Sequence, residues 1–194
     1  MLEEINRSLF HGINKFAGYN PMLDATARVI AEYLPFLFIL VVLYYWFSKK
    51  EDSSKVRLLL VGYSVLLALS INFLITLFYF HPRPFMVYIG KLLIRHGPET
   101  SFPSDHTTFM FSIAFMFITF NEFRIIGIIL SLLALVGGVA RVFVGVHFPF
   151  DIAGSIGVGL VSAMIISALI DMLTPINKRL IKFYKNVLSR LDLK

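Results

Sequence analysis

The chain has 194 residues, 57% of them hydrophobic and 15% charged, with no cysteine and a net charge of +6. An average soluble domain is about half apolar and a quarter charged, and a globule of this length cannot bury the apolar excess that a mean hydropathy of +0.77 implies, so part of it must face lipid. That excludes a soluble enzyme, a disordered chain, a secreted disulfide scaffold and any chemistry built on thiolates.

Residues 1–20 form the first element. Leu2, Ile5, Leu9, Ile13 and Phe16 share one helical stripe, with Glu3, Glu4, Arg7 and Lys15 elsewhere. This predicts an interfacial amphipathic helix ending near Tyr19-Asn20-Pro21. No basic n-region precedes an apolar core, so a cleavable signal peptide is not expected and the first span serves as an uncleaved anchor. A spanning helix needs roughly 20 mostly apolar residues. Five segments meet that need: about 27–47, 58–80, 104–120, 124–145 and 151–173. The reading is an all-α polytopic membrane bundle of five transmembrane helices plus the N-terminal interfacial helix, a single domain over 1–194. The connector 49–57 is short and charged, and 81–103 is the one long connector, with Pro82, Pro84, Pro98 and Pro103. The tail 178–194 carries six Lys and Arg against Asp192, so +5 of the net +6 sits there. Five spans put this tail and the basic 49–57 loop on one side, which the distribution of Lys and Arg marks as cytoplasmic. Net basicity therefore points to membrane topology and membrane lipids, with no nucleic-acid partner. The run Gly154-x-x-Gly157-x-Gly159 follows no strand, so it reads as close helix packing rather than a dinucleotide loop.

Charged groups at membrane helix ends are costly unless they pair or work. Three clusters stand out: Arg83 in HPRPF, Pro103-Ser104-Asp105-His106, and Arg141, His147 and Asp151. All three fall on the outward side of a topology drawn from hydropathy and basic loops alone. Arginines offer planar donors to phosphate oxygens. The backbone N–H groups opening the third span favour an anion. Two histidines can serve as nucleophile and general acid, with an aspartate fixing a tautomer. Phosphoryl transfer through a phosphohistidine, with no metal or other cofactor, requires such a set. Bland readings stand beside this one. His147 and Asp151, four apart, also fit a structural pair or a metal site, although neighbouring arginines compete with a cation. Asp105 fits an N-cap, His81 and His96 read as solvated loop residues, and Asn72 reads as helix–helix glue.

The order Arg83-Pro84, then Pro103-Ser104-Asp105-His106, then Arg141-x5-His147-x3-Asp151 resembles the three-part signature of the type-2 phosphatidic acid phosphatase superfamily. The motifs cover residues 76–151, and the helical layout extends the resemblance over most of the chain. The resemblance implies that His147 is the nucleophile, that Asp151 orients it and that His106 protonates the leaving group. It implies that Arg83, Ser104 and Arg141 bind phosphate. Three positions depart from the pattern: Thr76 stands where a Lys is usual, Ala140 where a Ser is usual, and Asp105 where a Gly is usual. Lys91 is one candidate to replace the missing Lys. Asp105, placed with the substrate-binding residues, has to be protonated, paired or turned away from a phosphate. Asp105, HPRPF and the missing Lys are similar to the undecaprenyl-pyrophosphate phosphatases associated with bacitracin resistance. That likeness implies a plasma-membrane enzyme cleaving a polyprenyl pyrophosphate at the extracellular or periplasmic face. A glycerolipid phosphate as substrate, a metal-dependent hydrolase, and a non-enzymatic lipid-phosphate transporter or scaffold are the alternatives.

Overall fold

The computed structural model describes residues 1–190, all in helices and their connections. The helices are α1 (Leu2–Asn14), α2 (Pro21–Ser48), α3 (Asp52–Phe78), α4 (Asp105–Thr119), α5 (Arg124–Phe143), α6 (Pro149–Ala168) and α7 (Ile170–Arg190), with a 3₁₀ turn at Pro84–Val87. Four of them, α2, α3, α5 and α6, are long and apolar enough to cross a membrane. The expected third span, 104–120, is realised as the 15-residue α4. At 1.5 Å per residue it is about 22 Å long, short of the ~30 Å of hydrocarbon. It packs against α3, α5 and α6. It buries Met110, Phe111, Ile113, Ala114, Met116 and Phe117. The expected last span, 151–173, stops at Ala168, and the chain turns at Leu169 into α7.

Start signals in the sequence act as physical chemistry requires. The Asn20 side chain accepts the N–H groups of Met22 and Leu23 at 2.9 and 3.2 Å, capping α2 just before Pro21. Close packing needs small residues at particular points. A Cβ on Gly159 would lie 2.9 Å from Phe111 Cβ, and one on Gly154 would strike the Phe102 ring. Gly157 faces open space, so the packing role read into the Gly154–Gly159 run holds for its two ends only.

The amphipathic α1 is docked on one side and exposed on the other. Asn6, Phe10 and Asn14, one turn apart, are buried, while Leu2, Ile5, Leu9 and Phe16 are exposed. Asn14 joins the long connector to the end of α5: its Nδ2 donates to the carbonyls of Lys91 and Phe143, and its Oδ1 accepts the Lys91 N–H. The segment expected as a basic tail is largely the helix α7, laid on α3 through Tyr63 Oη donating to Asn177, an ion pair of Lys185 with Asp52, and buried Ile181. Residues 191–194, the end of that expected tail with Asp192 and Lys194, lie outside the described residues.

Candidate active site

The chain from Tyr79 to Ser104 returns over one end of the bundle and meets the α5–α6 turn. Two hydrogen bonds set its course: Ser101 N–H to the His81 carbonyl (2.7 Å) and His81 N–H to Thr100 Oγ1 (3.1 Å). A third, Leu93 N–H to the Val144 carbonyl (2.9 Å), ties it to the end of α5. Beneath it opens a cavity of about 510 Å³ whose wall includes Arg83, His96, Glu99, Asp105, His106, Arg141 and His147. Three separate stretches of sequence are thus brought together.

His147 is buried, and its two nitrogens have different partners. Nδ1 lies 2.9 Å from the Ser101 carbonyl and 3.5 Å from Asp151 Oδ2. A carbonyl and a carboxylate only accept, so Nδ1 carries the proton. Nε2 lies 3.2 Å from Arg83 Nη1. Arginine only donates, so Nε2 presents a lone pair to the cavity. Burial, with the nearby Arg141 and Arg83 charges, pushes the His147 pKa down to about 3 despite the opposing pull of Asp151. The imidazole is neutral, and the Nε2 lone pair that faces Arg83 is the one available to an electrophile in the cavity.

Asp151 occupies the third position of α6 and folds back to accept the Phe148 N–H at 2.7 Å, so the helix start that Pro149 permits also fixes the carboxylate. Its Oδ2 also accepts the Ser101 hydroxyl, and its Oδ1 lies 3.2 Å from His81 Nδ1. Ser101 and His81 have no place in the sequence reading of the site. His81, expected as a solvated loop residue, is mostly buried and bonded to Asp151, which raises its pKa against the opposing effect of burial.

The two arginines are held by backbone. Arg83 Nε donates to the Glu99 carbonyl at 3.2 Å and Nη1 to the Val146 carbonyl at 3.0 Å. Burial lowers its pKa from a very high starting value, which leaves it charged at neutral pH. Arg141 Nη1 donates to the Ala31 carbonyl at 3.0 Å. That carbonyl is free because the residue four further on is Pro35, which has no N–H to offer it. Arg141 Nε is buried without a hydrogen-bond partner, a donor that an anion in the cavity would satisfy. The first helical bond of α4 is Thr108 N–H to the Ser104 carbonyl, so the N–H groups of residues 105–107 are not used within the helix.

His106 lines the cavity as expected. Ser104 is fully buried, accepts a bond from Thr107 Oγ1 at 3.1 Å and is not on the cavity wall. Asp105 accepts Asn72 Nδ2 at 2.8 Å, which turns one carboxylate oxygen toward α3 and joins the two helices through Asn72, as expected of that residue. Thr76 is on the wall, but Lys91 is not: its ammonium sits 4.2 Å from the Tyr19 ring centre, beside α1. His96, expected as a surface residue, faces the cavity. Its pKa is lowered by burial and by the Arg83 charge.

Known proteins resemble this chain in sequence and share its fold. The family model described as PAP2 superfamily matches residues 57–175. Undecaprenyl-diphosphatase BcrC of Bacillus subtilis is 33% identical over 190 residues, covering 98% of this chain and 97% of that protein. The putative undecaprenyl-diphosphatase YbjG of Escherichia coli is 33% identical over 84% of this chain and 82% of its own length. Among solved structures, Aquifex aeolicus LpxE superposes with TM-score 0.67 and 26% identity, over 84% of this chain and 95% of that one. A PAP2-type phosphatidylglycerolphosphate phosphatase from Bacillus subtilis shares the fold at TM-score 0.61 and 20% identity, over 88% and 87%.

Proposed function

The chain belongs to the PAP2 superfamily, and on that premise we propose that it is an integral-membrane phosphatase that removes the terminal phosphate of a polyprenyl (undecaprenyl) pyrophosphate, giving the monophosphate and inorganic phosphate. The observation that carries this reading is the state of His147: neutral, its Nδ1 proton engaged behind it, its Nε2 lone pair aimed at a cavity edged by two arginines.

The steps follow from the residues in place. The terminal phosphate displaces Arg83 from His147 and takes donors from Arg83, Arg141 and the first N–H groups of α4. His147 Nε2 attacks phosphorus while the bond to the bridging oxygen breaks. His106 gives that oxygen a proton, and the lipid monophosphate leaves. Asp151 stabilises the positive charge that develops on His147 through Nδ1–H. Water, deprotonated by His106, then cleaves the phosphorus–nitrogen bond and frees phosphate. Fixed donors aimed at developing charge carry most of the catalytic effect in such a site, so no metal or other cofactor is assigned.

The lipid tail has a path. An apolar groove of about 260 Å³ begins at Asp105 and His106 and is lined by Pro35, Phe36, Ile39, Leu69 and Phe109. Ile39 and Phe109 also line the next hollow, about 340 Å³, which continues between α2 and α3 along Leu43, Val65 and Leu66. Trp46 and Tyr63 border its far end. A long prenyl chain fits a groove of this course. We further assign α4 as a fifth crossing, since it runs from the site to the opposite end of the bundle and α5 returns. The site faces outward at the plasma membrane, α1 lies in the interface with its exposed apolar stripe in lipid, and the whole chain is one domain.

Phosphate release by the purified protein from undecaprenyl pyrophosphate, phosphatidylglycerol phosphate and phosphatidic acid tests the substrate. Preference for the pyrophosphate in EDTA is the expected result. Preference for a glycerolipid, or full loss of activity on chelation, overturns this assignment.

A further inference from the structure

Resting on the reading above, we propose that His81 is a positioning residue for the reaction at His147, acting through Asp151 and itself held by Glu3 of α1. Asp151 is fully buried, so each of its oxygens needs a donor. Oδ2 has the Phe148 N–H and the Ser101 hydroxyl and faces His147 Nδ1. Among the described residues, Oδ1 has one hydrogen-bonding partner, His81 Nδ1 at 3.2 Å. Without it a buried carboxylate oxygen is left unsatisfied, and the group gains by turning about Cβ–Cγ toward other donors. That turn moves Oδ2 away from the imidazole whose developing charge it stabilises.

His81 is placed for this task on every side. Its backbone is fixed by the bonds to Thr100 and Ser101 described above. Its ring lies parallel to Tyr79 (9°, centroids 6.2 Å apart) and 5.3 Å from the Phe148 ring. Its far nitrogen, Nε2, is 3.7 Å from Glu3 Oε2, an ion pair when both ring nitrogens carry a proton, and Glu3 in turn accepts Arg7 Nε at 2.8 Å. A chain of contacts therefore runs from the exposed face of α1 to the buried nucleophile. It gives α1 a part in the chemistry beyond lying at the interface. Residues that orient metal ligands from behind are worth about 10–100-fold in activity, and the same order is expected of a residue that orients an active imidazole without touching substrate.

The test is steady-state hydrolysis of undecaprenyl pyrophosphate by the full chain in detergent micelles. His81→Phe keeps the ring and removes the donor. His81→Asn keeps an N–H able to reach Asp151. The expected result for His81→Phe is a kcat lowered about 10–100-fold with KM within about twofold of wild type, and for His81→Asn recovery of most of that loss. Equal kcat in His81→Phe and wild type, or equal damage in both variants, overturns the proposal. Should His81→Phe fail to fold, Glu3→Gln, at a half-exposed side chain, probes the same contacts: a lowered kcat at unchanged KM supports the role and a wild-type kcat contradicts it. Wild-type protein that releases phosphate from no lipid phosphate overturns the proposed function itself, whereas an active wild type with an equally active His81→Phe overturns only the role of His81.

Discussion

His147, the proposed nucleophile, is the residue on which the site converges, and its tautomer is decided by neighbours that cannot do otherwise. Arg83 only donates and the Ser101 carbonyl only accepts, so the His147 lone pair has one place to be. Removing one fixed donor from a site of this kind costs about 2.7–4 kcal/mol in the barrier. Arg141→Ala is therefore expected to lower kcat by about 10²–10³-fold, read from initial rates of phosphate release. Burial of the neutral imidazole also sets a pH dependence of stability. A free histidine titrates near 6.5, while His147 in the folded chain holds off protonation until about pH 3. Between those values the unfolded chain binds a proton that the folded chain refuses. Stability thus falls as pH drops through that window, by at most about 1.4 kcal/mol per pH unit from this group, and is indifferent to it above about pH 7. Thermal unfolding between pH 7 and pH 4.5 is expected to show a steeper loss for wild type than for His147→Ala. The residues legible from sequence alone are those whose chemistry is expensive in a membrane helix end: Arg83, Arg141, His106, His147 and Asp151. Ser101 and His81 were not legible, because a serine and a loop histidine cost nothing where the sequence places them. Their roles arise only when the chain pairs residue 81 with residue 101 beside Asp151. Ser104 shows the opposite case, a motif residue whose hydroxyl is turned into the protein.

At the scale of elements, the site depends on two turns held together by α1. Gly145 ends the turn after α5 with φ +87°, and a Cβ there would sit against the Lys91 carbonyl oxygen. A left-handed conformation costs an L-residue about 1–2 kcal/mol even without a clash, so Gly145→Ala is expected to lower the melting temperature markedly. Gly157→Ala, on an open helix face, is expected to be neutral or to stabilise by up to about 1 kcal/mol. Differential scanning fluorimetry of the two variants in one detergent gives the comparison. Asn14→Ala leaves the Lys91 N–H and the Lys91 and Phe143 carbonyls without their side-chain partner. Each buried group left unpaired costs about 1–3 kcal/mol, so this variant loses both stability and kcat. The helices themselves were legible through apolar length. The exceptions have a physical setting: α4, shorter than the hydrocarbon is thick, is surrounded by other helices, and the last expected span breaks at Leu169 where α7 is drawn aside onto α3. No pattern within residues 170–190 alone announces the Tyr63–Asn177 bond that sets this course.

At the scale of the whole molecule, most of the net charge and the arginine charge of the cavity lie at opposite ends of the bundle. Lys178, Arg179, Lys182 and Lys185 belong to α7, whose Lys185 pairs with Asp52 at the start of α3, while Arg83 and Arg141 edge the cavity beyond the other end of α3. The chain has no cysteine, so single substitutions report sidedness without background. Arg95→Cys is expected to react with an impermeant maleimide in intact cells, and Lys50→Cys only after permeabilisation; equal reactivity in intact cells contradicts the five-crossing topology. The proposed reaction turns on a covalent step at one nitrogen. Mixing the protein with prenyl pyrophosphate carrying ³²P in its terminal phosphate and quenching within a single turnover measures that step directly. The expected result is a labelled protein whose phosphate is lost in acid, kept in base and absent from His147→Ala. Phosphate release with no labelled intermediate, or labelling that persists in His147→Ala, would contradict it.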